Sequence, residues 1–234
     1  MRVMSVAAAV LLAIGLAVSA QYTYAFYYNV TSGRDLEINV MNTEDVYASC
    51  SIEAHDAWGD LLWFEGFDLS PLMSSYYTVS DEVASGNWGV VIVESDTRLV
   101  FGLEYYQGGQ LVTIDNIYEE APDIVPGLDY WLGAYYTLVG DAETTLILLN
   151  PWPVATVCRV IVHKQSGEIL YEEDFVFDPY EGFFIYLPDY IASGKYAWGF
   201  ADVLMVDSAI IVAVEYYGRG CGDLEIDNIS TFYY

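Results

Sequence analysis

The chain has 234 residues, with 34 Asp and Glu against 7 Lys and Arg, and a formal net charge of −27 at pH 7. A field of that sign repels nucleic acid and anionic lipid, which removes both from the candidate partners, and it favours cations, basic surfaces or plain solubility. With 55% apolar residues and 22 tyrosines, the chain also falls outside the class of disordered acidic proteins, which lack the material for a core.

The first predicted element is a leader. Residues 1–20 read MRVMSVAAAVLLAIGLAVSA: Arg2 gives a positive start, Val6 to Val18 is almost wholly apolar, and Val18-Ser19-Ala20 is a small-residue cleavage signal before Gln21. This is the pattern of a secretory signal peptide, and the apolar run is short of the roughly 20 residues that span a bilayer. The expectation is a secreted, periplasmic or cell-surface protein with no membrane span in its mature chain.

Strands follow near Ala25–Val30, Leu36–Met41, Val46–His55, Leu61–Phe64, Met73–Val79, Trp88–Glu94, Leu99–Tyr106 and Leu111–Ile117. The runs are short, rich in Val, Ile, Tyr, Phe and Thr, and broken by Gly, Asp, Asn and Pro. Residues 119–127, EEAPDIVPG, hold two prolines, a glycine and acids, a composition that favours an extended connector between packed units. The predicted division is therefore a sandwich over 21–122, a linker over 123–129 and a second sandwich over 130–234. The second set of strands falls near Trp131–Leu138, Thr144–Leu149, Ala155–His163, Ile169–Phe175, Phe183–Leu187, Ala197–Met205, Ala209–Tyr217 and Leu224–Ile229. Gly108-Gly109 and Gly218-Arg219-Gly220 read as hairpin turns. Val90–Val93 and Ile210–Val214 are apolar throughout, as in central strands covered on more than one side. In each Tyr-Tyr pair, strand alternation sends one ring inward and the other outward.

The two sets are one pattern written twice. Sliding the sequence by one period lays Asn42 on Asn150, Cys50 on Cys158, His55 on His163 and Gly59 on Gly167. The same shift of 108 lays Tyr27-Tyr28 on Tyr135-Tyr136 and Ala84-Ser85-Gly86 on Ala192-Ser193-Gly194, and after an insertion in the second repeat a shift of 111 lays Glu104-Tyr105-Tyr106 on Glu215-Tyr216-Tyr217. The Ile-Asp-Asn-Ile of residues 114–117 meets that of 226–229. A period of roughly 110 residues exceeds the 20–50 of solenoid repeats, so each repeat should hold its own core. The expected fold is all-β: two tandem duplicated antiparallel β-sandwich domains after a cleaved signal peptide. An outer-membrane β-barrel is the alternative. The leader and the aromatic end Thr231-Phe232-Tyr233-Tyr234 suit it, whereas strands apolar on both faces do not.

Within the first repeat, turn signals come in a set order: Asn42-Thr43-Glu44-Asp45, Gly59, Leu69-Ser70-Pro71, Gly86 and Glu94-Ser95-Asp96. This order resembles the small β-sandwich modules related to the sensory rhodopsin transducer family. The resemblance spans most of each repeat and rests on short turn elements. It implies a sandwich that acts by binding, without a cofactor, and it transfers no functional residue.

Little in the chain carries reactive chemistry. Cys50 and Cys158 share strand parity with apolar neighbours and should point into separate cores, while Cys221 sits in a turn; the alternatives are three reduced thiols or a Cys158–Cys221 bridge. There is no CxxC and no zinc spacing. His55 and His163 occupy equivalent strand ends and read as exposed. No GxSxG accompanies them, so a hydrolytic triad has no starting point. Acids are too many for a glycosidase pair to be singled out. Asp96/Asp207, Asp115/Asp227 and Asn116/Asn228 recur, which fits turn capping better than a calcium loop.

The reading is of a non-enzymatic structural or adhesive protein of the cell envelope or extracellular space, working by protein–protein contact or self-association. A carbohydrate- or calcium-binding module is the alternative. No cofactor is expected, and no metal-ligand set can be read. The candidate interaction surface comprises Trp152, between Pro151 and Pro153 and the aromatic most expected to be exposed, together with Tyr106, Tyr217, Phe232, Tyr233 and Tyr234. Tyr22–Val30 and Ser230–Tyr234 are candidate edge strands able to pair with another chain.

Overall fold

A computed structural model describes residues 22–192, 194, 197–218 and 224–229. The predicted leader, Arg219–Asp223 of the last turn and the Ser230–Tyr234 segment, with Phe232, Tyr233 and Tyr234, lie outside the described residues. The rest is almost entirely β, and each of the predicted strands is present.

Four four-stranded antiparallel sheets carry the fold. We number them as layers. Layer 1 orders β5 (Ser74–Thr78), β2 (Arg34–Asn42), β7 (Leu99–Gln107) and β8 (Gln110–Ile117). Layer 2 orders β1 (Tyr22–Asn29), β6 (Trp88–Ser95), β3 (Ala48–Asp56) and β4 (Leu61–Leu69). Layer 3 orders β13 (Gly182–Tyr186), β10 (Glu143–Leu149), β15 (Ile211–Tyr217) and β16 (Leu224–Ile229). Layer 4 orders β12 (Ile169–Phe177), β11 (Thr156–Lys164), β14 (Trp198–Val206) and β9 (Asp129–Thr137). A single helical turn, α1 (Val79–Glu82), follows β5. A closed barrel would pair its strands in one circuit. Here each sheet keeps two edges, so the barrel alternative does not describe this chain.

Strands β9 to β16 pair in the same order as β1 to β8. Local details recur with the order. The register of β3 against β4 slips between Ala54 and His55, and that of β11 against β12 between Val162 and His163. Asn42 Nδ2 donates to the Val46 carbonyl at 2.7 Å, and Asn150 Nδ2 to the Val154 carbonyl at 2.8 Å. Gly89 and Gly199 lie so close to the His55 and His163 carbonyls that an added Cβ would stand 2.1 and 1.9 Å from them. The Tyr105 hydroxyl donates to the Tyr27 carbonyl, and the Tyr216 hydroxyl to the Tyr135 carbonyl.

Each sandwich closes on apolar side chains taken from alternate strand positions. Between layers 1 and 2, Tyr24 and Phe26 pack against Phe101, with Cys50 buried nearby. Between layers 3 and 4, Leu146, Leu148, Val212 and Val214 meet Tyr136, Val160 and Ala201, with Cys158 among them. Both thiols are free and buried, as their strand parity predicts.

The first core does not stop at layer 2. It runs on through Trp88 and Ile92 to Ile147, Leu149, Ile211, Ala213 and Ile226 of layer 3. Layers 2 and 3 are thus covered on both faces, and the molecule is a stack of four sheets. The apolar runs in β6 and β15 have this cause. It also corrects one expectation: Tyr27 and Tyr28 are both buried, one against layer 3 and the other against layer 1. Alternation holds for Tyr135 and Tyr136, where Tyr136 is buried and Tyr135 is exposed.

The connector is pinned to the stack. The Ala121 amide donates to the Thr23 carbonyl at 2.8 Å, and Ile124 and Leu128 pack on the second core. Strand β9 starts at Asp129, the last residue of the predicted linker.

Candidate functional site

The most developed polar feature lies where layers 2 and 3 meet. Glu215 falls in the middle of β15, an otherwise apolar strand, on the face turned toward layer 2. Its Oε1 accepts from the Tyr27 hydroxyl at 2.8 Å, Asn29 Nδ2 at 3.3 Å and Arg34 Nη1 at 2.8 Å. Its Oε2 accepts from the Tyr217 hydroxyl at 2.7 Å, and that hydroxyl also meets Arg34 Nη2. The ion pair is nearly dry: the Arg34 and Glu215 side chains are 12% and 5% exposed. Removing a carboxylate from water costs several kcal/mol, and only a full set of donors offsets it. Here the set comes from both sandwiches, so it forms only when they are docked. Burial, followed by the charge on Glu215, holds the Tyr27 phenol well above the ordinary tyrosine range. The same two causes push Tyr217 up to about 12.

Beside this cluster a cleft of about 410 Å³ opens between the sandwiches. Tyr27, Trp88, Phe184, Tyr186 and Tyr217 line it with rings, and Asn29, Thr31, Thr145, Asp189 and Glu215 with polar groups. Trp88 meets Phe184 edge-on at 5.8 Å between centroids. Among the described residues no group of three or more His, Cys, Asp or Glu converges.

Two further contacts fix the docking. Asn228 on β16 donates from its backbone and side chain to Asp115 Oδ2 on β8, both at 2.9 Å. Its side chain also donates to the Tyr105 hydroxyl and accepts from the Tyr27 amide. At the other end, the Gly182 amide donates to the Ala57 carbonyl, and Trp58 bridges to Glu181. Gly59 in that loop has φ +84°, and an added Cβ would stand 2.3 Å from the Pro179 carbonyl. Its counterpart Gly167 has φ +82° with nothing within 4 Å.

Among the described residues, the stack ends in two open faces. On layer 4, β9 and β14 present Tyr135, Phe200 and Trp198, with ring centroids 5.8 and 6.4 Å from Tyr135. Trp131, 43% exposed, stands on the same face beside Gly133. His163 and Asp202 pair there at 3.0 Å, and Arg159 forks onto Asp174. On layer 1, Met41, Tyr76 and Ile114 are exposed, and Glu104 Oε2 accepts from the Tyr106 hydroxyl at 2.8 Å.

The residues singled out from sequence separate accordingly. Tyr106 lies on the open face of layer 1, and Tyr217 in the cleft. Trp152 is not the exposed aromatic: it is half-buried and packs against both cores, because its loop closes over the junction of the sandwiches. Trp58, 80% exposed, takes that place. His55 is also not exposed. It stacks on Tyr180 at 4.0 Å with Nδ1 3.1 Å from the Gly59 carbonyl. Strand β1 is an edge strand as expected, but its outer side is already used by Ala121 at Thr23 and by Asn228 and Tyr105 at Tyr27. Glu215, Tyr27, Arg34, Asn228 and Trp88 were not singled out as a site. The available signal was a glutamate inside an apolar strand, repeated at Glu104.

No family model matches the chain, and no curated protein matches it. Solved structures do. A structure assigned as a β-galactosidase of Bacteroides fragilis matches at 10% identity, with 89% of this chain and 32% of that chain covered, at a TM-score of 0.21. A β-glucuronidase 2 of Bacteroides uniformis matches at 9% identity over 90% of this chain and 26% of that chain, at 0.20. A glycosyl hydrolase family 2 member of Bacteroides cellulosilyticus matches at 8% identity over 90% and 28%, at 0.20. The chain spans about a third or less of each. Likeness at this level assigns neither activity nor ligand to this chain.

Proposed function

We propose that this is an exported, non-enzymatic structural or adhesive protein built by duplication of one sandwich, and that it works by protein–protein contact through the ends of its stack. The observation that carries this reading is the pair of open sheet faces, above all the cluster of Tyr135, Trp198 and Phe200 on layer 4. Aromatic rings on a rigid sheet give large contact area at small entropic cost and are enriched in association surfaces. Export rests on the leader pattern of residues 1–20. The test is chemical crosslinking on intact cells that express the protein, comparing wild type with the Tyr76→Lys/Phe200→Lys double variant. Loss of protein crosslinks in the double variant is the expected result, and an unchanged pattern sinks the reading.

The aromatic cleft favours a second reading, a carbohydrate-binding module, since flat rings with neighbouring carboxylates and amides suit a sugar ring. A glycan array with Phe184→Ala as control tests it. Signal lost in that variant supports the second reading, and absence of any signal removes it.

A further inference from the structure

We propose that copies of this chain associate head to tail, the open face of layer 4 in one copy covering the open face of layer 1 in the next. This rests on the reading of the protein as an association module, and it names the partner: a second copy.

The model for the contact is inside the molecule. Layers 2 and 4 occupy equivalent places in their sandwiches, as do layers 1 and 3. The internal interface joins layer 2 to layer 3, so it is heterologous, and it leaves one face of each kind unused at opposite ends of the stack. A heterologous contact that can form once within a chain can form again between chains, and it does not close on itself.

The side chains agree. Matching the ladders of β7 with β8 and of β15 with β16 puts Glu104, Tyr106, Ile114 and Asn116 where Glu215, Tyr217, Ile226 and Asn228 stand. The glutamate–tyrosine bond is already formed at 2.8 Å on the open face and at 2.7 Å on the buried one. Ile114 is 56% exposed, whereas Ile226 is 3%. On the opposite surface, the ladders of β1 with β6 and of β9 with β14 place Tyr135 and Trp198 where Tyr27 and Trp88 make the internal contact.

The open faces also differ from their buried counterparts in one direction. Asp202 stands for Ile92 and Asn39 for Ile147 on the faces themselves, and the buried Ala142, next to the first residue of β10, takes the place of Arg34. Each change adds polarity or removes the donor that compensates the glutamate. The contact between copies is therefore weaker than the internal one and reversible. It also works against a net charge of −27, so salt strengthens it by screening.

The experiment is sedimentation velocity of the purified mature chain over a concentration series, at low ionic strength and at about 0.5 M NaCl, where screening reaches only a few ångströms. Expected is growth to species larger than a dimer, favoured by salt. Open assemblies should show an axial repeat of about 40 Å by electron microscopy, four layers at roughly 10 Å each. Ile114→Lys blocks one end and Phe200→Lys the other. Each variant alone should stop at the monomer, and an equal mixture should give a heterodimer and nothing larger. Both side chains are more than half exposed, so circular dichroism should match wild type. Tyr76→Lys and Tyr135→Lys repeat the pair if either fails to fold. A wild type that stays monomeric overturns the proposal, as does a mixture without heterodimer. Association abolished by Phe200→Lys and untouched by Ile114→Lys also overturns it, because that pattern means like faces pair. A monomeric wild type whose cell-surface crosslinks still depend on Phe200 would end this proposal and leave the association reading standing.

Discussion

At the scale of single residues, the decisive group is Glu215. A carboxylate buried beside Tyr217 is tolerated because docking brings Tyr27, Asn29 and Arg34 to it together. Arg34→Ala leaves the charge buried without its counter-ion, a loss of about 3–5 kcal/mol. Adding Glu215→Gln should restore most of it, since the amide keeps hydrogen-bonding capacity without the charge. Urea denaturation of the two variants measures this, and a double variant no more stable than the single one would refute the account. The tyrosines around the pair set an alkaline limit. Tyr27 and Tyr217 lie above the ordinary value of 10.0, through burial and then Glu215. Above that value the unfolded chain loses phenolic protons that the folded chain keeps, so the unfolded state binds fewer protons and stability falls as pH rises. The contribution is complete below pH 10 and fades toward the folded value. Urea midpoints should fall as pH rises past about 10, less steeply in Tyr27→Phe than in wild type. A level profile past pH 11 or so would contradict the assignment. Little of this was legible in the sequence: Glu104 and Glu215 are the same letter in the same phrase, and only docking buries one of them. Trp152 and Trp58 show the same limit, because which loop faces the junction depends on how the sandwiches stack.

At the scale of elements, the strands were legible because each run is punctuated and its apolar spacing has a period of two. The continuous apolar runs held more information, since a strand with no polar side has no face for water. That is why β6 and β15 lie in the two inner layers, although neither run says which sheet will cover it. The expectation failed at Tyr27 and Tyr28 because alternation assumes one wet face. The layers should differ in persistence. Backbone amides of β10, β15 and β6, with apolar cover on both sides, should exchange slowest with deuterium, and those of β4 and β12, with mostly exposed patterns, fastest. Faster exchange in β10 than in β12 would show that the inner interface opens before the outer sheets fray.

At the scale of the whole molecule, the core of the first sandwich continues into layer 3 of the second, so neither can be removed without exposing the other. The repeat in the sequence announced two similar units. It did not announce that they would meet through unlike faces, because the residues that decide it are ordinary core residues until a partner sheet is laid on them. In the association proposed above, the acidic surface would keep copies apart and the aromatic ends would define where they meet.

The pinned connector has one more consequence. Once the stack has formed, the covalent link between the halves carries little of the load, since Trp88, Ile92, Ile147 and Ile226 hold them through side-chain contact. A single backbone cut between Tyr118 and Leu128 should therefore leave two fragments that co-elute as one particle with an unchanged circular dichroism spectrum. Expressed apart, each would present a greasy inner sheet to water and precipitate, yet the two should rescue one another when refolded as a mixture. Fragments that drift apart after the cut would mean the tether, and not the buried faces, keeps the halves together.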